Sequence, residues 1–179
     1  MSFNKCLYVM PECYVDTNLI EYLLAAKVNH QHCCSKVVGQ LKTTFANQFA
    51  VGIIDRDKVE LGYIKECDVI AQTTHICLMK HKKRCQFLIT IKPAIDGFLL
   101  DCAKDLDVKL EDFGLPSALK EFTKVTKLVS SNADKRFKNL FKDLEQHWEI
   151  SILKRCLLYL SNEKYHVKVD TLKEIFSNQ

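Results

Sequence analysis

The chain is poor in the residues that mark linkers and disorder. Its 179 residues include only 5 glycines and 3 prolines, and no stretch is dominated by a few residue types. Disordered segments are rich in such residues and poor in apolar ones, whereas 47% of this chain is hydrophobic. We therefore expect an ordered globular protein that is long enough to bury a substantial core.

Long hydrophobic runs and a secretory signal are also missing from the pattern. No apolar run approaches the roughly 20 residues that cross a bilayer. The start "MSFNKCLYVMPE" has one lysine and a very short apolar segment, without a cleavage site of small residues. The nine cysteines are an odd number, which favours reduced thiols over disulfides. These features predict a cytoplasmic protein with no membrane partner.

The chain lacks a strong excess of either charge. It has 26 Lys+Arg against 22 Asp+Glu, a net charge of +4, which by itself does not indicate nucleic acid as a partner. Lysines after residue 119 recur at helical spacing, which fits a helix face that follows a phosphate backbone. An ordinary solvated face explains the same pattern. These lysines are Lys120, Lys124, Lys127, Lys135, Lys138 and Lys142.

The first half of the chain alternates between strand and helix patterns. Such an order, with short connections, favours right-handed crossovers and a mainly parallel sheet flanked by helices. Asp16 stands where the N-cap of the first helix is expected. The expected elements are a strand at 5–10, a helix at 16–27, a strand at 33–38 closed by Gly39, a helix carrying Leu41, Phe45 and Phe49, and a strand at 49–55.

The second half of the chain is predicted to become helical. The pattern at 58–72 is ambiguous between a short helix and irregular structure. "HICLMK" and "CQFLITIK" then predict a hairpin around the turn His81 to Arg84. A helix begins near Pro93, and no strand is evident after about residue 115, where four helical stretches follow. We expect an α/β domain at 1–112 and a helical extension packed on it at 113–179.

Acidic residues stand where two of the predicted strands end. Glu12 follows the first strand and Asp55 ends the third, and ligands of parallel sheets gather at the carboxyl ends of strands. Asp57 shares a side with Asp55 if the chain stays extended. Converging carboxylates repel one another, and Mg²⁺ accepts oxygen ligands of this kind. Asp16 is a candidate for the same site, although for Asp16 taken alone a helix cap is the more common role than a metal ligand.

These residues together resemble a known family. Glu12 and Asp16 are spaced E-x-x-x-D in "VMPECYVDTNLIEYLL", and "AVGIIDRDK" follows about 40 residues later. The two segments look like the Toprim domain, the metal-binding module of topoisomerases, bacterial primases and a group of nucleases. The wording "GIIDRD" is most similar to the nuclease branch of the OLD (overcoming lysogenization defect) proteins. Asp96, in "IKPAIDGFLL", matches an acid that leads a later helix in the family.

The resemblance implies a prokaryotic, divalent-metal-dependent nuclease or a related phosphoryl-transfer enzyme that acts on DNA or RNA. Topoisomerase and primase chemistry need more protein than this chain has. An ATPase on a separate chain is a further partner that this branch suggests. The resemblance makes Glu12, Asp55 and Asp57 the catalytic residues and Mg²⁺ or Mn²⁺ the cofactor. The metal ligands that it implies are Glu12, Asp16, Asp55, Asp57 and Asp96.

A second hypothesis keeps the fold without the chemistry. The first motif of this branch typically has a glycine after its acid, and Cys13 stands at that position here. A catalytically inactive Toprim-like module, which binds a protein partner or nucleic acid, is therefore the alternative function.

Two further clusters carry candidate binding residues. The hairpin turn concentrates positive charge on a projecting loop, which predicts nucleic-acid contact through Lys80, Lys82, Lys83 and Arg84. "NHQHCC" places His30, His32, Cys33 and Cys34 together, which suggests zinc. Structural zinc sites usually take two separated ligand pairs, and cysteines buried as small hydrophobic residues are the competing interpretation.

Overall fold

A computed structural model describes residues 4–56 and 62–177. The protein has a mixed α/β fold in which helices flank a twisted sheet and the C-terminal part of the described chain is helical, as the sequence predicts. The strands are β1 (Asn4–Cys6), β2 (Val9–Pro11), β3 (Ala26–Val28), β4 (Ala50–Asp55), β5 (Cys67–Gln72), β6 (Ile76–His81) and β7 (Gln86–Ile91).

The main sheet has five strands in the order β2-β4-β7-β6-β5. β2, β4 and β7 are parallel, whereas β6 runs antiparallel to both of its neighbours. β1 and β3 form a separate parallel pair. The N–H groups of Asn29 and Gln31 donate to the carbonyls of Val9 and Pro11, so the chain after β3 runs beside β2. At this edge of the sheet the spatial order is therefore the segment after β3, then β2, then β4.

The helices cover the two faces of the sheet unequally. α1, α3 and the C-terminal helices share one large buried cluster, and α2 covers a smaller cluster on the other face. The helices are α1 (Tyr14–Leu24), α2 (Cys34–Lys42), α3 (Ile95–Asp105), α4 (Leu119–Thr126), α5 (Lys135–Leu144), α6 (Trp148–Glu163) and α7 (Val169–Ser177), with short 3-10 segments at Gly62–Glu66, Leu110–Phe113, Val129–Asn132 and Lys164–His166.

The central strand β4 is buried on both faces, which explains its continuous apolar run. Val51 and Ile53 point into the large cluster, and Ala50 and Ile54 into the small one. Between them, Gly52 lies directly under α2. A Cβ atom at Gly52 would come within 2.8 Å of Val37 Cγ1, so the glycine permits the close approach of helix and strand.

The predicted strand at 33–38 is wrong, because Cys34–Lys42 is the helix α2. Val37, Val38 and Leu41 are its buried residues, a helical spacing that the adjacent valines disguise as a strand pattern. The second strand is instead β3, which has only three residues. The predicted helix through Phe45 and Phe49 is not formed, since the chain between α2 and β4 consists of turns.

The ambiguous segment at 58–72 divides into two elements where it is described. A 3-10 turn at Gly62–Glu66 leads into β5, an edge strand whose central residues are exposed or half-buried. The predicted hairpin is confirmed by the antiparallel pairing of β6 and β7. Within the described chain after residue 115 the structure has four α-helices and no strand, also as predicted.

Candidate functional site

Four acidic side chains surround the carboxyl ends of β2 and β4; we call them the acidic rim. Glu12 follows β2, Asp55 ends β4, and Asp16 and Asp96 lie in the first turns of α1 and α3. The chain leaves β2 for a strand on one side and later returns to β4 on the other. This reversal of strand order opens a crevice in which sheets of this kind bind ligands. The fold therefore brings together all four described acids that the resemblance implies.

Backbone hydrogen bonds hold the two strand-end acids in place. Glu12 Oε2 accepts from the N–H of Asp55 at 3.0 Å. Asp55 Oδ1 in turn accepts from the N–H of Ile95, the first residue of α3, at 2.9 Å. A carboxylate at a helix N-terminus satisfies an N–H group that has no partner within the helix. The carboxyl end of β4 is thus connected to both β2 and α3.

The sequence suggested that Asp16 is the N-cap of α1, but this prediction is wrong. The N-cap is Cys13, and Asp16 is the third residue of the helix. Asp16 Oδ2 accepts from the N–H of Cys13 at 3.1 Å, which is half of a capping box. The side chain is 1% exposed. Its second oxygen, Oδ1, is buried without a hydrogen-bond partner among the described residues. A buried carboxylate oxygen in that condition is costly.

The carboxylates of the acidic rim disfavour one another's charges. Burial, and then the charges of Glu12 and Asp96, raise the pKa of Asp16 to about 7. Burial, and then the charges of Asp16, Glu12 and Asp96, raise the pKa of Asp55 to about 8. Both effects favour a neutral carboxyl group or a bound cation. The acids are therefore close enough to act as one electrostatic unit.

The donor atoms of the acidic rim suit a hard cation, because they are all carboxylate oxygens. The unpaired Asp16 Oδ1 is the atom that such an ion would satisfy. Within residues 4–56 and 62–177, however, no three or more His, Cys, Asp or Glu side chains are grouped closely enough to hold a metal ion. Asp57, the remaining predicted ligand, lies outside the described residues.

Cys13, which replaces the glycine of the family motif, lies beside these acids. Burial, and then the negative charge of Asp16, raise the pKa of its thiol well above the usual range. The side chain therefore stays a protonated thiol and supplies neither a thiolate ligand nor a nucleophile. Its backbone N–H serves the acidic rim by donating to Asp16.

The turn at residues 80–84, which we call the basic turn, lies at the opposite end of the strands from the acidic rim. It joins β6 to β7, so it stands at the amino end of β7, whereas Asp55 pairs with Ile91 at the carboxyl end. Five residues of strand separate the two edges, which is about 17 Å. Lys82 Nζ and Arg84 Nη1 also donate to backbone carbonyls, those of Lys65 and Leu41. The structure thus does not bring Lys80, Lys82, Lys83 and Arg84 to the acids.

The "NHQHCC" segment forms a compact cluster at the end of β3. His30 Nε2 and His32 Nδ1 lie 3.0 Å apart, and the ring of Tyr14 stacks on His30 at 4.4 Å between centroids. All nine cysteines, Cys33 and Cys34 among them, are free thiols. Nothing in the described part of the chain adds a second ligand pair to this cluster.

One buried ionic cluster has no counterpart in the sequence analysis. Glu149, at the start of α6, is 1% exposed and accepts from the N–H of His75 and from the Thr73 hydroxyl. The His75 ring contacts Glu149 at 2.6 Å and Asp101 at 3.1 Å. Burial opposes the charged ring, but these two acids outweigh it and raise the pKa of His75. The cluster fastens the β5–β6 turn to α3 and α6.

A second cluster, formed by Cys102, His147 and Asp105, is arranged like a Cys-His-Asp catalytic triad but is not reactive. His147 Nδ1 lies 3.3 Å from Cys102 Sγ, and its Nε2 lies 3.3 Å from Asp105 Oδ2. Cys102 is fully buried, and burial followed by the charges of Glu149 and Asp105 raises the pKa of its thiol. An active cysteine needs a lowered pKa and access to substrate, so this group is structural. No short sequence motif connects these residues, because Cys102 and Asp105 lie on α3 and His147 is the N-cap of α6.

Comparison with known proteins returned no relative. No protein-family model matches the chain, and neither the curated proteins nor the solved structures include a match. Within the described residues, none of the helices has the length and apolar character needed to span a bilayer. The fold and the acidic rim therefore define an α/β protein with a carboxylate-rich crevice, and its function has to be argued from that crevice.

Proposed function

We propose that the protein is a divalent-metal-dependent nuclease, or a related phosphoryl-transfer enzyme, that acts on nucleic acid through a Toprim-type acidic rim. The observation that carries this proposal is Asp16 Oδ1, a buried carboxylate oxygen with no hydrogen-bond partner among the described residues. It lies beside acids whose charges raise its pKa. Folding gains nothing from this unpaired oxygen, whereas cation binding does.

Glu12 and Asp55 are the core ligands in this proposal, with Asp57 as the third, and Asp16 and Asp96 complete the site. Mg²⁺ or Mn²⁺ bound there would lower the pKa of a bound water and neutralise charge at the phosphate. The backbone N–H groups that donate to Glu12, Asp16 and Asp55 fix these side chains before substrate arrives. Ligands positioned in advance need little rearrangement during the reaction.

Two cations near the acidic rim are suited to hold the substrate phosphate. Arg56 follows Asp55 directly and is exposed. Lys92 follows β7 and donates its backbone N–H to His75 at 2.8 Å, so it stands at the same edge of the sheet. In this proposal the phosphate lies between these cations and the acids. The basic turn, at the opposite end of the strands, contacts only distant parts of the nucleic acid.

The test is cleavage of plasmid, single-stranded DNA and single-stranded RNA in the presence of Mn²⁺. Asp55→Asn and Glu12→Gln keep an oxygen that accepts from the backbone N–H but remove the negative charge. We therefore expect folded proteins whose cleavage activity is lower by a factor on the order of 10² or more. Asp143→Asn, an exposed acid on α5, is the matched control and should cleave normally. Equal cleavage by Asp55→Asn and the control would contradict the proposal.

The alternative, an inactive module that binds a protein or nucleic acid, is favoured by a different observation. Asp55 and Asp16 both satisfy backbone N–H groups at helix starts, so folding alone accounts for part of the acidic rim. An ATPase on a separate chain is a candidate partner in this case. Calorimetry with Mg²⁺ and Mn²⁺ separates the hypotheses, because the inactive module shows neither metal uptake at the acidic rim nor cleavage.

A further inference from the structure

A groove of about 620 Å³ runs along α2, from the chain segment that follows β3 to the end of the helix. We call it the α2 groove. None of its lining residues is a carboxylic acid, and Lys36, which is exposed, supplies a positive charge. Gly39 is part of the wall, and a Cβ atom there would meet nothing within 4 Å. The residues that matter below are His30, His32, Lys36, Gly39 and Gln40.

The groove adjoins the acidic rim through the chain after β3. The N–H of Gln31 donates to the carbonyl of Pro11 at 3.1 Å, directly before Glu12. The negative charge of Glu12 also contributes, after burial, to a raised pKa at Cys34. One end of the α2 groove therefore lies beside the chain segment that leads into Glu12.

A chain of hydrogen bonds positions the two histidines. The Thr17 hydroxyl donates to the carbonyl of Cys13 at 2.8 Å, so its oxygen is left to accept from His30 Nδ1 at 2.9 Å. The pKa of His30 is lowered by burial and then by His32, so this ring is neutral and its Nε2 accepts. His32 Nδ1 lies 3.0 Å from His30 Nε2 and 3.3 Å from the Tyr14 hydroxyl, so Nδ1 holds the ring of His32 in place.

The other ring nitrogen, Nε2, takes no part in these contacts, and His32 lines the α2 groove. No hydrogen bond to that atom is formed within the described part of the chain, and His32 is exposed. The backbone of His32 has a φ of 72°, a left-handed conformation that non-glycine residues rarely adopt. The turn thus directs His32 back onto His30, with ring centroids 4.2 Å apart.

We propose that the α2 groove binds a backbone phosphate of the nucleic-acid strand, through His32 Nε2 and Lys36, while the neighbouring phosphodiester lies at the acidic rim. This inference rests on the proposed function, since it names the path of that substrate. A phosphate oxygen can accept a hydrogen bond from His32 Nε2 when that nitrogen carries the proton. Gln40 adds an amide donor on the same wall.

The experiment measures binding without metal, so that affinity is separate from cleavage. Fluorescence anisotropy with a labelled single-stranded oligonucleotide in EDTA is recorded for the full chain over a range of salt concentrations. Lys36→Ala and His32→Ala should each weaken binding several-fold, and Lys36→Ala should reduce the salt slope by about 1. Gly39→Glu, which places a negative charge in open space on the wall, should weaken binding further.

Two control variants keep the interpretation sharp. Gly39→Ala leaves the groove open and should bind like the unmodified protein, which shows that the glycine itself is not needed. Lys168→Ala removes an exposed lysine that lies just before α7 and should change affinity little. A labelled mononucleotide, which has no flanking phosphodiester, should bind much more weakly than the strand; equal affinity would mean that the groove recognises a nucleotide and would overturn the proposal.

The outcomes for binding and for cleavage are separable. Unchanged affinity in Lys36→Ala and Gly39→Glu, or no oligonucleotide binding by the unmodified protein, would overturn the groove proposal even if Mn²⁺-dependent cleavage is observed. Weakened binding in these variants, together with no cleavage by the unmodified protein, would support the groove and contradict the nuclease. Loss of binding in a Lys83→Ala variant, with unchanged affinity in Lys36→Ala, would overturn the groove proposal and move the interface to the basic turn.

Discussion

Asp16 has one carboxylate oxygen on the N–H of Cys13 and the other buried without a partner among the described residues. The first contact is an ordinary feature of a helix start, worth on the order of 1 kcal/mol. The second is a cost, and the charges of Glu12 and Asp96 increase it. The residue therefore supports the helix in any condition and supports the whole fold best when its charge is neutralised.

We predict that the protein without metal loses stability as the pH rises. In the unfolded chain Asp16 ionises near its ordinary pKa of 3.8, but in the folded chain its pKa is about 7. Between these values the folded state holds a proton that the unfolded state has released, so the free energy of unfolding falls over this range. At about 1.4 kcal/mol per pKa unit, Asp16 contributes a loss of a few kcal/mol, and Asp55 extends the fall towards pH 8.

Urea unfolding followed by circular dichroism at about pH 5 and about pH 8 measures this loss. Mn²⁺ should restore stability at the higher pH and have little effect at the lower one, where protons compete for the carboxylates. Asp16→Asn should flatten the pH dependence and reduce the metal effect. A protein whose stability rises with pH over this range would contradict the assignment.

At the scale of elements, α2 shows how closely a helix approaches the sheet. Gly52 has no side chain where the helix crosses β4, and a Cβ atom there would lie 2.8 Å from Val37 Cγ1 and 3.1 Å from Leu41 Cδ1. Val37 is β-branched and has little freedom to turn aside. The position of α2, and with it the α2 groove, thus depends on this contact.

We predict that Gly52→Ala destabilises the protein by about 1–3 kcal/mol, because the added methyl group overpacks the contact between α2 and β4. Gly39→Ala, in the same helix but facing open space, is the matched control. It should stabilise the protein by up to about 1 kcal/mol, since alanine favours a helix more than glycine does. Urea unfolding of both variants measures the difference, and an equal response would show that α2 does not pack as described.

The elements also show what the sequence could and could not predict. The long apolar run of β4 and the hairpin of β6 and β7 have clear periodic patterns and were predicted. β3 has only three residues, and the adjacent valines of α2 imitate a strand, so the second strand was assigned to the wrong segment. β5 is an exposed edge strand, and its polar positions hide its pattern.

The candidate site was predictable in its members but not in its geometry. Parallel strands bring Glu12 and Asp55 to one edge whichever segment forms the second strand. The sequence could not show that Cys13, rather than Asp16, caps α1, because the choice depends on where the first helical turn begins. The contact of His75 with Glu149 joins positions 74 residues apart, which no local pattern encodes.

On the scale of the whole molecule, the C-terminal helices complete the core of the α/β part. α1 is packed between the sheet and this helical layer: Asn18 Nδ2 donates to the carbonyl of Ser131 at 2.7 Å, and Tyr22 donates to Glu145 at 2.9 Å. Phe122, Phe137 and Phe141 are fully buried in the same cluster as the strands. One continuous core therefore spans residues before and after position 112.

We predict that a fragment of residues 1–112 does not fold to the native state by itself. Removal of the helices exposes the outer face of α1 and leaves the buried Asn18 amide without its carbonyl partners. The fragment should bind a hydrophobic dye and lack near-ultraviolet circular dichroism, the features of a molten globule, whereas the full chain should unfold cooperatively. A fragment with native spectra and a cooperative transition would establish an independent domain.

The backbone hydrogen bonds of the acidic rim also bear on how the sequence can change over generations. Because Glu12, Asp16 and Asp55 each hold an N–H of the neighbouring backbone, most substitutions at these positions are penalised by misfolding before any reaction is affected. Selection for a folded chain and selection for chemistry therefore act on the same three residues. A protein that had lost the activity during evolution would still keep oxygen acceptors at these three positions. Substitution by asparagine or glutamine would be the first change to accumulate there.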